Sequence, residues 1–331
     1  WRPAADNEVR TMNNVLKKGA NLLSKCSAQL ILVALIIFFG VQCGAAFFSV
    51  SNLISIVRQV TTMGIAALGV SFLMITGNLD FSTGQVYAFT GTLAAFLYSA
   101  GVPIWIAMAA GVLGAVIIFC LTCWISIRFK ISRLVISMAM GTAVSGLACI
   151  VARNKTIYGL PESIKWLGQG YIFNLIPIST IIFLVLAVIV AFVFRKTYLG
   201  RYLFAVGGSD DVARLSGINV NQIKYIASII GGALVGVAGL VCMSRTFSGS
   251  PFAGGSLSSD VISAAVLGGV SVMGGTGKTS GIVTGVIIIG TLSVGLNMMG
   301  MNTNSQDIFK GLMLMVAVVL DAVSKRSASK A

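Results

Sequence analysis

Residues Met273–Gly281 read MGGTGKTSG, and the run Gly277-Lys278-Thr279 matches the close of a phosphate-binding loop. Such a loop needs a Gly five residues ahead of its Gly-Lys pair, because backbone N–H groups must wrap the phosphates. That position is Val272. A dinucleotide fingerprint fails as well, since counting from Gly275 and Gly277 the third glycine position is Ser280. The flanks decide the reading. A nucleotide loop follows a buried strand of a soluble α/β domain, whereas Val261 to Val272 and Gly281 to Val294 are long apolar runs. These nine residues therefore direct attention away from nucleotide chemistry and toward the apolar chain around them.

Apolar residues make up 56% of the 331, charged residues only 10%, and the mean hydropathy is +0.95. This composition is that of a polytopic membrane protein. Runs long enough to cross a bilayer, about 20 residues each, recur almost throughout and leave no stretch for a separate soluble domain. The first begins near Ala28 and is followed by many others, so it reads as a retained helix and not as a signal peptide.

The net charge of +14 sits in short basic clusters between apolar runs, without interleaved aromatics, which argues against nucleic acid. Histidine is absent. That removes imidazole general-base chemistry, the serine and cysteine triads and most zinc sites, and no cofactor is expected. Cys120 and Cys123 form a CxxC inside the apolar run Ile104 to Ile127, where they read as small hydrophobes.

The chain divides into an N-terminal segment over 1–27, a membrane domain over 28–323 and a tail over 324–331. Val9, Met12, Leu16, Gly19 and Leu23 share one helical face with Lys17, Lys18 and Lys25 off it, which predicts an amphipathic helix on the anionic cytoplasmic surface. Apolar runs near 28–48, 57–76, 84–100, 104–127, 134–152, 176–194, 224–243, 260–273, 281–297 and 307–323 predict an all-α protein of about ten transmembrane helices.

With both termini in the cytoplasm, seventeen of the 23 Lys and Arg lie inside, five lie outside (Arg58, Arg153, Lys155, Lys165 and Arg245), and Lys310 is near or within the membrane. The bias supports that orientation. A re-entrant hairpin over 57–100 would leave every later loop on the same side. Helices two to five and seven to ten are then related in opposite orientation, an inverted repeat. Asp80 before the third helix and Asp260 before the eighth echo each other.

Thr76 to Gly84 interrupts an apolar region with two glycines and a carboxylate. A charge there is costly unless paired, hydrogen-bonded or facing water. Asp80 either caps the third helix, in which case Asn should replace it, or lines a transport pathway. Asp260 carries the same two readings. Asn78, Ser82 and Asn297 join them as candidate pathway or helix-break residues. In the polar loop 195–224, Gly207-Gly208 break the chain, Ser209 can cap, Asp210 and Asp211 occupy a first turn, and Gly217 ends a short helix. Such a helix suits docking to a partner, or is a solvated loop helix.

Three stretches carry a resemblance. ITGNLDFSTGQVYAFTGTLAA (75–95), AVGGSDDVARLSGINVNQIK (205–224) and the segment from SDVISAAVLGG to MLMVAVVLD (259–321) resemble signatures of sugar-type ABC importer permeases, the family serving ribose, galactose, xylose and related solutes. The likeness runs from about Phe47 to Asp321. Asn78 stands where that family commonly has Gly, and Ser209 where Asn is usual. The resemblance implies a bacterial inner-membrane permease, paired with a second copy or a homologue, with cytoplasmic ABC ATPase subunits below and a periplasmic or lipid-anchored sugar-binding protein above. Gly207, Gly208, Asp210, Asp211, Ala213, Arg214, Leu215, Ser216, Gly217 and Ile218 would couple it to the ATPase. MGGTGKTSG would be a tight cytoplasmic turn, with ATP bound by another polypeptide. A nucleoside or branched-chain amino acid permease, and a self-contained secondary transporter, are the competing readings.

Overall fold

A computed structural model describes residues 27–172, 176–313 and 315, so the N-terminal amphipathic segment and the tail lie outside the described residues. In chain order the described helices include α1 (Ser27–Cys43), α2 (Val50–Ile75), α3 (Thr83–Ser99), α4 (Ile104–Phe129), α5 (Arg133–Val151), α6 (Lys165–Gln169), α7 (Ile178–Lys196), α8 (Tyr198–Gly208), α9 (Asp210–Leu215), α10 (Val220–Thr246), α11 (Leu257–Leu267) and α12 (Thr279–Met298). Residues 303–313 form a further helix. One two-residue pairing, Tyr171–Ile172 with Ile176–Pro177, precedes α7.

The protein is an all-α polytopic membrane protein. Seven of the described helices are long and apolar enough to cross a bilayer: α1, α2, α4, α5, α7, α10 and α12. Each of the ten apolar runs meets a helix, and the differences lie in length. The run near 260–273 yields only the eleven residues of α11, because Gly268 and Gly269 end it and Gly269 adopts φ +81°. Local signals set the other boundaries. Ser49 accepts a hydrogen bond from the Asn52 N–H at the start of α2. Pro103 and Pro177 precede α4 and α7, where the missing N–H costs nothing.

α2 and α10 form the centre, and the other helices are arranged about them. A Gly stripe on α10 lets neighbours approach: a Cβ on Gly231 would stand 3.1 Å from the Gly69 carbonyl oxygen, and one on Gly232 would stand 2.9 Å from the Val116 Cα. Small residues serve this purpose in lipid, where dispersion contacts replace the hydrophobic drive between helices.

The two halves share one plan. α2 ends at Ile75, and the chain turns back through 76–82 before α3 leaves. α10 ends at Thr246, turns back through 247–256, and α11 leaves. α3 runs toward the end of the bundle that holds Gly249, where Ile157 pairs with Gly249. α11 runs to the opposite end, where Val270 packs near Gly277 and Ile75. The two breaks meet inside the bundle: the Gly84 N–H donates to Ser258 Oγ at 2.8 Å, and that hydroxyl donates to the Phe81 carbonyl at 2.8 Å.

The basic residues expected outside gather at the first end. Arg245 donates to the Arg58 carbonyl at 3.2 Å, Arg58 donates to the Tyr171 hydroxyl, and Lys165 stands 4.7 Å from the centre of the Phe247 ring. Lys130, Arg214 and Lys224 line a cavity at the opposite end. Lys224 and Arg245, one from each group and both on α10, are 21 residues apart, about 32 Å of helix.

Candidate functional site

Asp80 is fully buried. Its Oδ1 accepts from the Ser82 N–H at 2.9 Å and the Ser82 hydroxyl at 2.5 Å, and its Oδ2 accepts from Arg133 Nε at 3.1 Å and Nη2 at 3.0 Å. Arg133 Nη1 then donates to Ser228 Oγ at 2.6 Å, which ties the first break to α5 and α10. The simple cap therefore needs correcting. The carboxylate holds the turn one step before α3 and also neutralises a buried guanidinium, a charge role that a cap alone does not include. Ser82 stands at the N-cap position of α3 without accepting a capping bond.

Asp260 sits in the first turn of α11 and is nearly buried, at 6% exposure. Its Oδ2 accepts from Lys310 Nζ at 2.9 Å and from Ser256 Oγ at 3.2 Å. Lys310 comes from the helix over 303–313 and also stands 3.9 Å from Asp307. Asp80–Arg133 and Asp260–Lys310 are thus comparable ion pairs of the two halves, the first reaching the first residue of α5 and the second a residue inside the helix over 303–313.

Asn78 bonds locally, from Nδ2 to the Thr76 carbonyl at 3.0 Å and hydroxyl at 3.1 Å, and borders a cavity of about 860 Å³ with Arg133, Lys130, Arg214 and Lys224. Asn297 stands apart. It is exposed near the end of α12, which runs unbroken through it, so the structure does not bring it to either break.

The 195–224 segment is mostly helical. α7 runs on to Lys196, α8 and α9 follow, and α10 begins at Val220. Gly207 and Gly208 complete α8, and the chain breaks at Ser209, whose hydroxyl accepts from the Val212 N–H at 3.3 Å to start α9. Asp210 and Asp211 fall in that first turn, and Asp210 bonds Lys224 at 2.5 Å. Gly217 adopts φ +81° after α9, a conformation that disfavours side chains. Gly208 needs no such freedom, since a Cβ there would meet nothing within 4 Å. Gly207 carries the constraint, because its Cβ would clash with the Ile75 carbonyl oxygen.

That contact explains the glycines of MGGTGKTSG. The Gly275 N–H donates to the Ile75 carbonyl at 2.9 Å, and a Cβ on Gly274 would stand 2.7 Å from the Gly77 nitrogen and 2.9 Å from the Gly207 oxygen. Three chain segments close upon one another here, and glycine is what lets them. α9 itself faces away from this junction: Ala213 is buried, but Val212 is 62% and Leu215 89% exposed.

A family described as the permease component of branched-chain amino acid transport systems matches residues 52–318. The chain belongs to that family. Among its relatives, the ribose import permease protein of Haemophilus influenzae is 32% identical and covers 87% of this chain and 91% of its own length. The L-arabinose transport system permease protein of Escherichia coli K12 is 31% identical over 81% of each chain. The xylose transport system permease protein of Haemophilus influenzae is 29% identical over 90% of this chain and 96% of its own. No solved structure matches.

This permease is a multi-pass transport subunit, and two of its important residues escape a reading by local motif. Arg133 reads as one more positive-inside charge, and Lys310 as a stray one. The spacing held a signal: 53 residues separate Asp80 from Arg133, and 50 separate Asp260 from Lys310.

Proposed function

We propose that the chain is the membrane-spanning subunit of a bacterial ABC importer that moves a sugar across the inner membrane, driven by ATP hydrolysis on separate subunits. The observation that carries this reading is that relatives named for ribose, arabinose and xylose transport each cover four fifths or more of the chain at about 30% identity. In this reading both termini are cytoplasmic, a sugar-binding protein meets the Arg58, Lys165 and Arg245 end, and a second permease copy or homologue completes the pathway. The ATPase docks at α9.

α9 has the physical form such docking requires. It is anchored on one side by Ala213 and the Asp210–Lys224 pair, and it offers Arg214 and the exposed Leu215 on the other. Asp210 and Asp211 favour its start electrostatically. Uptake of labelled pentoses, hexoses, leucine and a nucleoside, in cells lacking and then regaining this chain, tests the substrate class. Import of leucine or the nucleoside alone would favour the amino-acid or nucleoside branch, and import that follows a membrane gradient without ATP would favour a secondary transporter.

The docking itself is tested by variants. Arg214→Glu and Gly217→Val are expected to abolish uptake with expression retained. Leu215→Ala is expected to weaken ATPase co-purification, because burying a Leu contributes about 1.5 to 3 kcal/mol. Normal co-purification and normal transport in all three would show that α9 is merely solvated.

A further inference from the structure

The Asp80 pair shows what a fully matched clasp looks like in this fold. Both oxygens of its carboxylate are used, the guanidinium donates from all three nitrogens, and neither side chain meets solvent appreciably. Its counterpart is built differently. Asp260 is more than nine-tenths buried, yet its Oδ1 has no hydrogen-bond partner among the described residues. Lys310 brings a compact ammonium where Arg133 brings a fork, so it cannot span the carboxylate in the same way.

Asp260 also borders a cavity of about 280 Å³, with Ser256, Ser259, Ser263, Asp307 and Lys310 in its wall. A buried carboxylate oxygen with no partner among the described residues is tolerated only where it meets water, a solute or a partner chain, and the half-exposed Asp307 nearby shows that the place is open. We infer that this cavity is a sugar-binding waystation of the transport path, in which Asp260 and Asp307 accept from sugar hydroxyls, Lys310 donates to them, and the three serines donate to or accept from them. The inference rests on the sugar-importer reading.

The chemistry is selective at the level of class. Carboxylates beside hydroxyls and one ammonium match a neutral polyol, whose hydroxyls each donate and accept, and they repel an anion that would face both aspartates. The volume lies at the lower edge of ligand pockets, about 300 Å³, which suits one monosaccharide. Among the described residues no aromatic ring lines the wall. A step of transport must release its solute on each cycle, so the site is expected to hold it weakly.

The test uses the full complex of permease, ATPase and binding protein in liposomes, with labelled D-ribose, D-xylose and L-arabinose as probes. In a Ser259→Cys permease, an impermeant thiol reagent is applied with and without the imported sugar at about 50 mM, enough to fill a millimolar site, and the reaction of the native cysteines is subtracted using the unaltered chain. Sugar is expected to slow modification at least about twofold, as half-occupancy dictates. Adding Asp260→Asn to Ser259→Cys is expected to abolish that protection and to lower uptake about tenfold, the effect of losing a hydrogen bond to a charged group. Where Asp260→Asn does not fold because Lys310 is left unpaired, Asp260→Asn with Lys310→Met removes both charges and carries the same expectation. Import by the unaltered complex with equal modification rates in the presence and absence of sugar would overturn the proposal alone. Failure of the unaltered complex to import any of the three sugars would overturn the sugar reading along with it.

Discussion

The two breaks of this permease, 76–82 and 247–256, occupy corresponding places in inverted halves and have been finished to different degrees. In the first, Asp80 and Arg133 are closed to solvent and every strong group is matched within the bundle. In the second, Asp260 keeps one oxygen unmatched among the described residues beside a polar cavity, and its cation is Lys310. An inverted repeat thus leaves room for specialisation. One copy of the motif can hold the fold while the other is available for solute.

The largest effect is expected where the clasp is tightest. Asp80→Asn leaves the Arg133 guanidinium buried without its counter-charge, a loss of about 3 to 5 kcal/mol for a broken buried pair. The purified variant in detergent is expected to unfold at markedly lower temperature than the unaltered permease. Asp80→Leu with Arg133→Met removes both charges and is expected to recover most of that loss, because apolar groups of similar volume replace a buried pair at little cost. Full stability of Asp80→Asn alone would erase the distinction between the halves and restore the simple cap.

A middle-sized effect belongs to the point where the halves meet. Ser258 Oγ accepts from the Gly84 N–H and donates to the Phe81 carbonyl, both at 2.8 Å. Ser258→Ala leaves a donor and an acceptor unmatched in a buried place, at about 1 to 3 kcal/mol. Thermal unfolding should register this as a smaller shift than Asp80→Asn gives. A shift equal to that of Asp80→Asn would mean that the junction, and not the clasp, holds the first break.

Much of this architecture was legible in the sequence, and the limits have physical causes. The ten apolar runs marked helices because lipid requires long apolar segments whose backbone groups are satisfied internally. Asp80 and Asp260 stood out because carboxylates are rare in such runs. Their partners did not, since Arg133 follows Arg128 and Lys130 and looks like another cytoplasmic charge until the fold turns it inward. Start and stop signals placed α9 well through Ser209, Asp210 and Gly217. They misassigned the neighbouring pair, because the need for glycine at 207 arises from Ile75, 132 positions earlier in the chain, as 207 − 75 gives, and no local pattern records so distant a contact.

The smallest effect on stability is expected at Asp307, and it sharpens the comparison in a different way. Its carboxylate lies 3.9 Å from Lys310 on the same helix and is 45% exposed, so solvent screens the pair and an exposed ion pair of this kind contributes only about 0 to 1 kcal/mol. Asp307→Asn should therefore leave the unfolding temperature nearly unchanged. Transport separates the roles. If the second break were only a looser copy of the clasp, Asp307→Asn would be silent in uptake too, because the bond of Lys310 to Asp260 at 2.9 Å survives it. As a wall of the solute cavity, Asp307 supplies an acceptor that an amide replaces only in part, so uptake is expected to fall severalfold with stability intact. Unchanged uptake across the imported sugar's concentration range would confine the solute contact to Asp260 and the serines, and would leave Asp307 as a surface charge at the mouth.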